Sequence, residues 1–353
     1  MKPQIHRRLL EWTPGKRVKT TNFAVVAFLS ACLASPLAAQ SPLAQQDDHP
    51  PERPAGDLSE LQLDPARRAE LEDAMKQRDY RRAEKILVDE SEHDPRSPRS
   101  AKLLAMAGGV FFLDGQYLDS VIAWKRAEAI TPLDDRSRFT LAMAYVRLNR
   151  RDWARTELEK LAAVQPQNPL YLYWLARLDY DAQNYATAIA RLQKVIELDP
   201  KMIRAYDSLG LCYDYLGQSI EAVKSYNRAV ELNRLQAKPS PWPHVDLAVT
   251  LIAVNQLADA EKNLREALGY DSQLPQAHYQ LGRVLEMRGD YKAAVEALRQ
   301  AAALDPAYPE PHLLLGRIYH RLGEGQVGET EIEQYQHLKK AAETQATPKL
   351  SPQ

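Results

Sequence analysis

The sequence predicts an all-α chain, a superhelical solenoid of antiparallel helix pairs. Three observations predict it. The first is a fixed period: thirty-four residues separate Ala101 from Asp135, Asp135 from Pro169, and Pro169 from Ile203. After four extra residues the period resumes at Pro241, Pro275 and Pro309. A period of this length marks stacked helical units. The second is a pair of small-residue columns. One reads Gly108, Ala142, Ala176, Gly210, Ala248, Gly282, Gly316; the other, twelve residues on, reads Ser120, Ala154, Ala188, Ala222, Ala260, Ala294, Gly328. Small residues at both places let two helices approach closely. The third is the turn column between them: Gly115, Asn149, Gln183, Gly217, Asn255, Gly289, Gly323. Gly and Asn accept the left-handed conformation that ends a helix.

Each repeat therefore reads as first helix, left-handed turn, second helix, stop. The stop column is mostly proline, at Pro132, Pro166, Pro200 and Pro306. Proline ends a helix and restricts the residue before it. Arg234 and Ser272 break this column, which predicts softer stops there. No stretch alternates as a strand would.

These residues resemble the tetratricopeptide repeat, whose pattern is W-x2-L-G-x2-Y, then A-x3-F, then P. One copy reads Tyr206, Leu209-Gly210, Tyr213, Ala222, Tyr226, Ala229; another reads Leu281-Gly282, Tyr291, Ala294, Leu298, Ala301, Pro306. The resemblance covers seven copies, at 101–134, 135–168, 169–202, 203–236, 241–274, 275–308 and 309–342. A weaker eighth at 64–97 keeps Tyr80, Ala83, Leu87 and Pro95 but carries Glu70 where the others carry Leu or Ala. A polar face suits a terminal copy with nothing stacked outside it. The solenoid is expected over 64–343, with a charged last helix over 329–343 and a disordered tail over 344–353.

The segment before the repeats reads differently. Residues 1–39 resemble a secretory leader: Lys2, Arg7, Arg8, Lys16, Arg17 and Lys19 precede a 12-residue apolar run over 23–34. That run is well short of the ~20 residues a spanning helix needs. Two processing routes are open. One is cleavage between Ala39 and Gln40. The other is lipidation of Cys32, because Leu29-Ser30-Ala31-Cys32 resembles a bacterial lipobox. Either implies export to the periplasm or envelope, with the lipid anchor as the one route to a membrane. Residues 40–63, rich in Gln, Pro and Asp at their start, are expected to form a flexible linker.

Charge excludes one class of partner. The first 31 residues carry six bases against Glu11, so a chain of formal charge −1 is acidic beyond them. A nucleic-acid groove would need a basic stripe. Cys32 and Cys212 are the two cysteines. Cleavage after Ala39 removes the first, leaving Cys212 as a packed apolar thiol.

No catalytic or phosphate-binding motif is present, so no enzyme activity, cofactor or small-molecule substrate is expected. His244, His278 and His312 recur at the place of Tyr206 and are read as filling that aromatic slot. Successive repeats set such rings roughly 8–10 Å apart, too far to share one metal ion; no metal site is expected.

The expected binding surface lies on the first helices, beside the stripe that packs on the partner helix. Membership of the repeat family implies that this concave face holds an extended peptide or a helix. The candidates are Phe139 and Met143; Tyr173, Trp174, Arg177 and Tyr180; Asp207, Asp214 and Tyr215; Val245 and Val249; Tyr279, Arg283 and Glu286; and Arg317. Tyr, Trp and Arg commonly anchor partners. Chaperone-binding members clamp a C-terminal carboxylate with a Lys and an Asn one turn apart, and no first helix here offers that pair. The expected function is a non-enzymatic scaffold of the bacterial envelope that binds a protein segment. The alternative is a lipid-anchored assembly factor for an outer-membrane, pilus or polysaccharide-export machine.

Overall fold

A computed structural model describes residues 58–346. The leader, Cys32 and the tail beyond 346 lie outside these residues. Sixteen α-helices follow one another: α1 Pro65–Gln77, α2 Tyr80–Ser91, α3 Pro98–Leu113, α4 Tyr117–Glu128, α5 Asp135–Arg147, α6 Arg151–Val164, α7 Pro169–Asp181, α8 Tyr185–Leu198, α9 Ile203–Tyr215, α10 Ser219–Asn233, α11 Trp242–Ala253, α12 Leu257–Tyr270, α13 Pro275–Met287, α14 Tyr291–Leu304, α15 Glu310–Arg321 and α16 Gly325–Ala346. No strand occurs among the described residues. Each helix packs on the next, and the fold is an all-α superhelix.

Local chemistry sets the boundaries. Asp64, Ser97, Asp134 and Asn168 cap the starts of α1, α3, α5 and α7 by accepting backbone N–H bonds. All seven turn-column residues adopt positive φ, including Gln183 at 61°. Gln183 takes that conformation despite its Cβ, because the helix-ending geometry of the repeat dictates it. Ser272 does not soften its stop. α12 ends at Tyr270 as its counterparts do, because Asp271 adopts an extended backbone and accepts from Gln273 N at 2.9 Å. Asp199 and Asp305 make the same turn before proline, so the aspartate stops the helix where proline is missing. At Arg234 the four extra residues form a loop, closed by the Asn233 amide pairing with the Ser240 backbone.

Two expected boundaries shift. Leu58–Leu61 is a 3₁₀ turn packed on α3, with Leu61 buried, so the end of the expected linker is ordered. α16 begins at Gly325, ahead of residue 329, and runs to Ala346. Within it Gly328 packs closely on α15, where an added Cβ would lie 2.9 Å from the Gly316 carbonyl oxygen.

Close approach explains the small columns. A Cβ on Gly210 would lie 2.4 Å from the Tyr226 ring, and one on Gly108 would lie 2.8 Å from the Trp124 ring. Both rings are fully buried against those glycines. Burying one such side chain contributes roughly 2–3 kcal/mol. The apolar core falls into three buried clusters, over α1–α4, α3–α9 and α10–α15.

Candidate partner-binding groove

Five pairs of successive odd-numbered helices touch: α3 meets α5, α7 meets α9, α9 meets α11, α11 meets α13 and α13 meets α15. Even-numbered helices make no comparable contact. The odd helices therefore line the inside of the curve, and the candidate residues on them belong to one groove.

The structure divides those candidates. Met143, Tyr173, Trp174, Asp207 and Val245 are buried, with Tyr173 2% exposed and Asp207 1%. They are corrected here from partner anchors to packing residues. The reason is the neighbouring repeat. Arg204 of α9 lies over the Tyr173 ring at 4.6 Å, and Trp174 meets the same ring edge-on at 5.9 Å. Phe139 is half-buried against Tyr171. Arg177, Tyr180, Asp214, Tyr279, Arg283 and Glu286 are half-buried, while Tyr215, Val249 and Arg317 are exposed.

Three stations follow one another along the groove. At the first, Tyr180, Tyr185 and Tyr215 form an aromatic cluster. Their centroids are 5.0–5.6 Å apart, and Tyr185 stacks on Tyr215. Arg177 places its guanidinium 5.8 Å from the Tyr180 ring. Its Nε and Nη1 are buried and meet no acceptor. Tyr185 escaped the sequence reading because it opens α8, an outer helix.

The second station is acidic. Asp207 of α9 and Asp246 of α11 are hydrogen-bonding neighbours. No N–H or O–H elsewhere among the described residues donates to either oxygen of Asp207. Burial raises both carboxyl groups above the ordinary aspartate range, and the charges of Asp207 and Asp214 raise Asp246 further. Burial therefore favours the protonated form at both carboxyls. Asp214 beside them is satisfied: its Oδ2 accepts from Thr250 Oγ1 at 2.6 Å and from the Tyr226 hydroxyl at 3.1 Å. Asp246 and Thr250 lie one position beyond Val245 and Val249, so periodicity picked their neighbours.

The third station spans α13 and α15. Tyr279 meets Tyr308 edge-on at 5.3 Å. Arg283 donates to Gln280 at 2.7 Å, and Glu286 lies 3.7 Å from both Arg317 and Arg321. The Tyr308 hydroxyl and Gln276 Oε1 are buried without partners. Tyr308 sits in the loop before α15, outside any helical spacing.

His244 and His312 pair within their own repeats, whereas His278 reaches back to the end of the repeat before it. His244 is buried, with Nδ1 3.1 Å from Asn263 Oδ1 and its ring 5.4 Å from Tyr270. His278 Nε2 meets the Ser272 carbonyl, and His312 Nδ1 meets Glu331 at 2.6 Å. Cys212 is buried, and burial pushes its thiol up to about 12.

Comparison with known proteins agrees with this architecture. Family models described as tetratricopeptide repeat match residues 139–203 and 203–234, and one described as TPR repeat matches 287–323. Superkiller protein 3 of Schizosaccharomyces pombe is 26% identical over 131 residues, which is 35% of this chain and 9% of that protein. The chain thus spans a small part of that relative's length. A tetratricopeptide repeat protein from Parabacteroides merdae is similar with a TM-score of 0.59 at 16% identity, over 74% of this chain and 99% of that one. PilW, a type IV pilus biogenesis factor, is similar with a TM-score of 0.53 at 18% identity, over 57% of this chain and 92% of that one. At these identities the structures share the fold.

Proposed function

Because the chain is a tetratricopeptide repeat protein, we propose that its concave groove holds a segment of another protein, and that it serves as a non-enzymatic scaffold of the cell envelope. The repeat fold is typical of protein–protein interaction. The observation that carries the reading is Arg177. Its two buried, unpaired N–H groups lie beside the Tyr180–Tyr185–Tyr215 cluster at the middle of the groove. A buried donor without an acceptor costs about 1–3 kcal/mol, more for a charged group. A partner's carbonyl or carboxylate would relieve that cost, while the exposed Tyr215 supplies an aromatic contact. The envelope location rests on the leader, and Cys32 favours a second reading, a lipid-anchored assembly factor.

The test compares Arg177→Ala with Lys224→Ala in pull-downs from envelope fractions. Lys224 is exposed on α10, where it lines the outer cleft between α8 and α10. Arg177→Ala is expected to lose the partner and Lys224→Ala to keep it. The reverse pattern moves the binding surface to the outer cleft.

A further inference from the structure

Two opposite kinds of unsatisfied buried group sit on successive inner helices. Arg177 of α7 leaves Nε and Nη1 without acceptors. Asp207 of α9 is 1% exposed, and neither of its oxygens receives an N–H or hydroxyl from elsewhere among the described residues. Asp246 Oδ2 on α11 is buried in the same condition. Folded chains seldom leave buried polar groups without counterparts, and each exception calls for an explanation.

Charge points to what is missing. Asp207, Asp214 and Asp246 gather at one station, and Asp214 is satisfied there by the neutral hydroxyls of Thr250 and Tyr226. Among the described residues the one cation acting on the three is Arg177, which acts on Asp207 without a hydrogen bond to it. Three acids therefore face one base. Asp214 and Asp246 are half-buried and open to solvent, while Asp207 is their buried neighbour. Burial favours the neutral carboxyl, and an entering ammonium or guanidinium would favour the charged form.

Spacing sets the register. α7 and α9 touch, and packed helices lie about 8–10 Å apart. An extended segment advances about 3.3 Å per residue, so a strand laid across both helices passes from one station to the next in about three residues.

We propose that the segment held in the groove is of mixed charge, with an acidic side chain seated on Arg177 and, about three residues away, a lysine or arginine seated on Asp207 and Asp246. This rests on the groove function proposed above and gives its partner a chemistry. Neighbouring stations of opposite sign also select: a uniformly acidic or uniformly basic segment is repelled by one of them.

The test needs no knowledge of the natural partner. Random peptides displayed on phage are selected on the immobilised full chain, and the enriched peptides are synthesised and titrated by fluorescence anisotropy. The expected peptides carry Asp or Glu about three residues from Lys or Arg. On the wild-type chain, replacing the peptide's base with norleucine should weaken binding at least about tenfold, and so should replacing its acid with the amide. These substitutions are made in the peptide, so misfolding of the chain cannot mimic them. When Asp207→Asn and Asp246→Asn are combined, the first loss should shrink to about twofold or less; on Arg177→Ala the second should. Peptides that need Arg177 but bind equally well without a base would overturn the mixed-charge segment and leave the groove reading intact. A base whose removal costs as much on the Asp207→Asn, Asp246→Asn chain as on wild type would also overturn it, because the base then sits elsewhere. Peptides indifferent to Arg177→Ala, or no enrichment at all, would overturn the groove reading and this proposal with it.

Discussion

Replacing Asp246 with Asn removes one of two neighbouring carboxyls whose protonated form burial favours. In the unfolded chain both carboxyls titrate near pH 4. In the fold, burial raises both. Above pH 4 the native state therefore binds more protons than the unfolded one. The associated stability is complete below the unfolded value and is lost as pH rises through the folded one. Each retained proton corresponds to about 1.4 kcal/mol per pH unit across that window. Other groups slope in the same region. Burial pushes Glu84 up to about 7, which adds to the effect, and burial lowers His244, which opposes it. Both are common to wild type and variant, so the difference between the two proteins isolates the pair. Arg177, Asp214 and Tyr226 also face it and are retained. The side-chain amide introduced by Asp246→Asn can donate to Asp207 without taking up a proton. The assay is urea unfolding followed by far-UV circular dichroism at pH 5, 6 and 7. Stability of the variant minus that of wild type should rise by about 1.4 kcal/mol per pH unit, about 3 kcal/mol overall. A difference independent of pH, or one that grows toward acid, would refute protonation favoured by burial.

Three further outcomes test the packing. Gly210→Ala should destabilise by about 1–3 kcal/mol in thermal melts, because the new Cβ collides with the buried Tyr226 ring and outweighs alanine's better helix propensity. Gln183→Gly should raise the melting temperature, since it relieves up to about 1 kcal/mol of left-handed strain at φ 61°. Arg138→Ala should cost about 3 kcal/mol, because it leaves the buried Glu157, 2.6 Å from the guanidinium, with Lys160 as its remaining cation. A melt unchanged by that substitution would show the pair to be solvated.

The fold was legible because its determinants are local and repeated. A turn residue such as Asn149 declares a left-handed φ, and Gly210 declares a close helix. Ser272 misled because aspartate, at Asp271, stops a helix as well as proline does. The groove was half legible. Spacing identifies the face of a helix on which Tyr173 lies, but not that Arg204 of the next repeat covers it. Asp246 acquires its character from Asp207, thirty-nine residues earlier and across the four-residue insertion, a contact no single-helix periodicity contains. Tyr185 and Tyr308 join the groove from an outer helix and a loop, so subtracting packing stripes from first helices could not find them.

Everything proposed about function depends on the partner lying on the inside of the curve. In-cell photo-cross-linking from two single positions tests this: Tyr215 in the groove and Ile220 at the outer cleft, which are 46% and 83% exposed. Both side chains are reachable from solvent, so exposure alone would let either react. Binding on the inside predicts a discrete partner adduct from Tyr215, abolished by Arg177→Ala, and none from Ile220. An adduct from Ile220 with none from Tyr215 would contradict it.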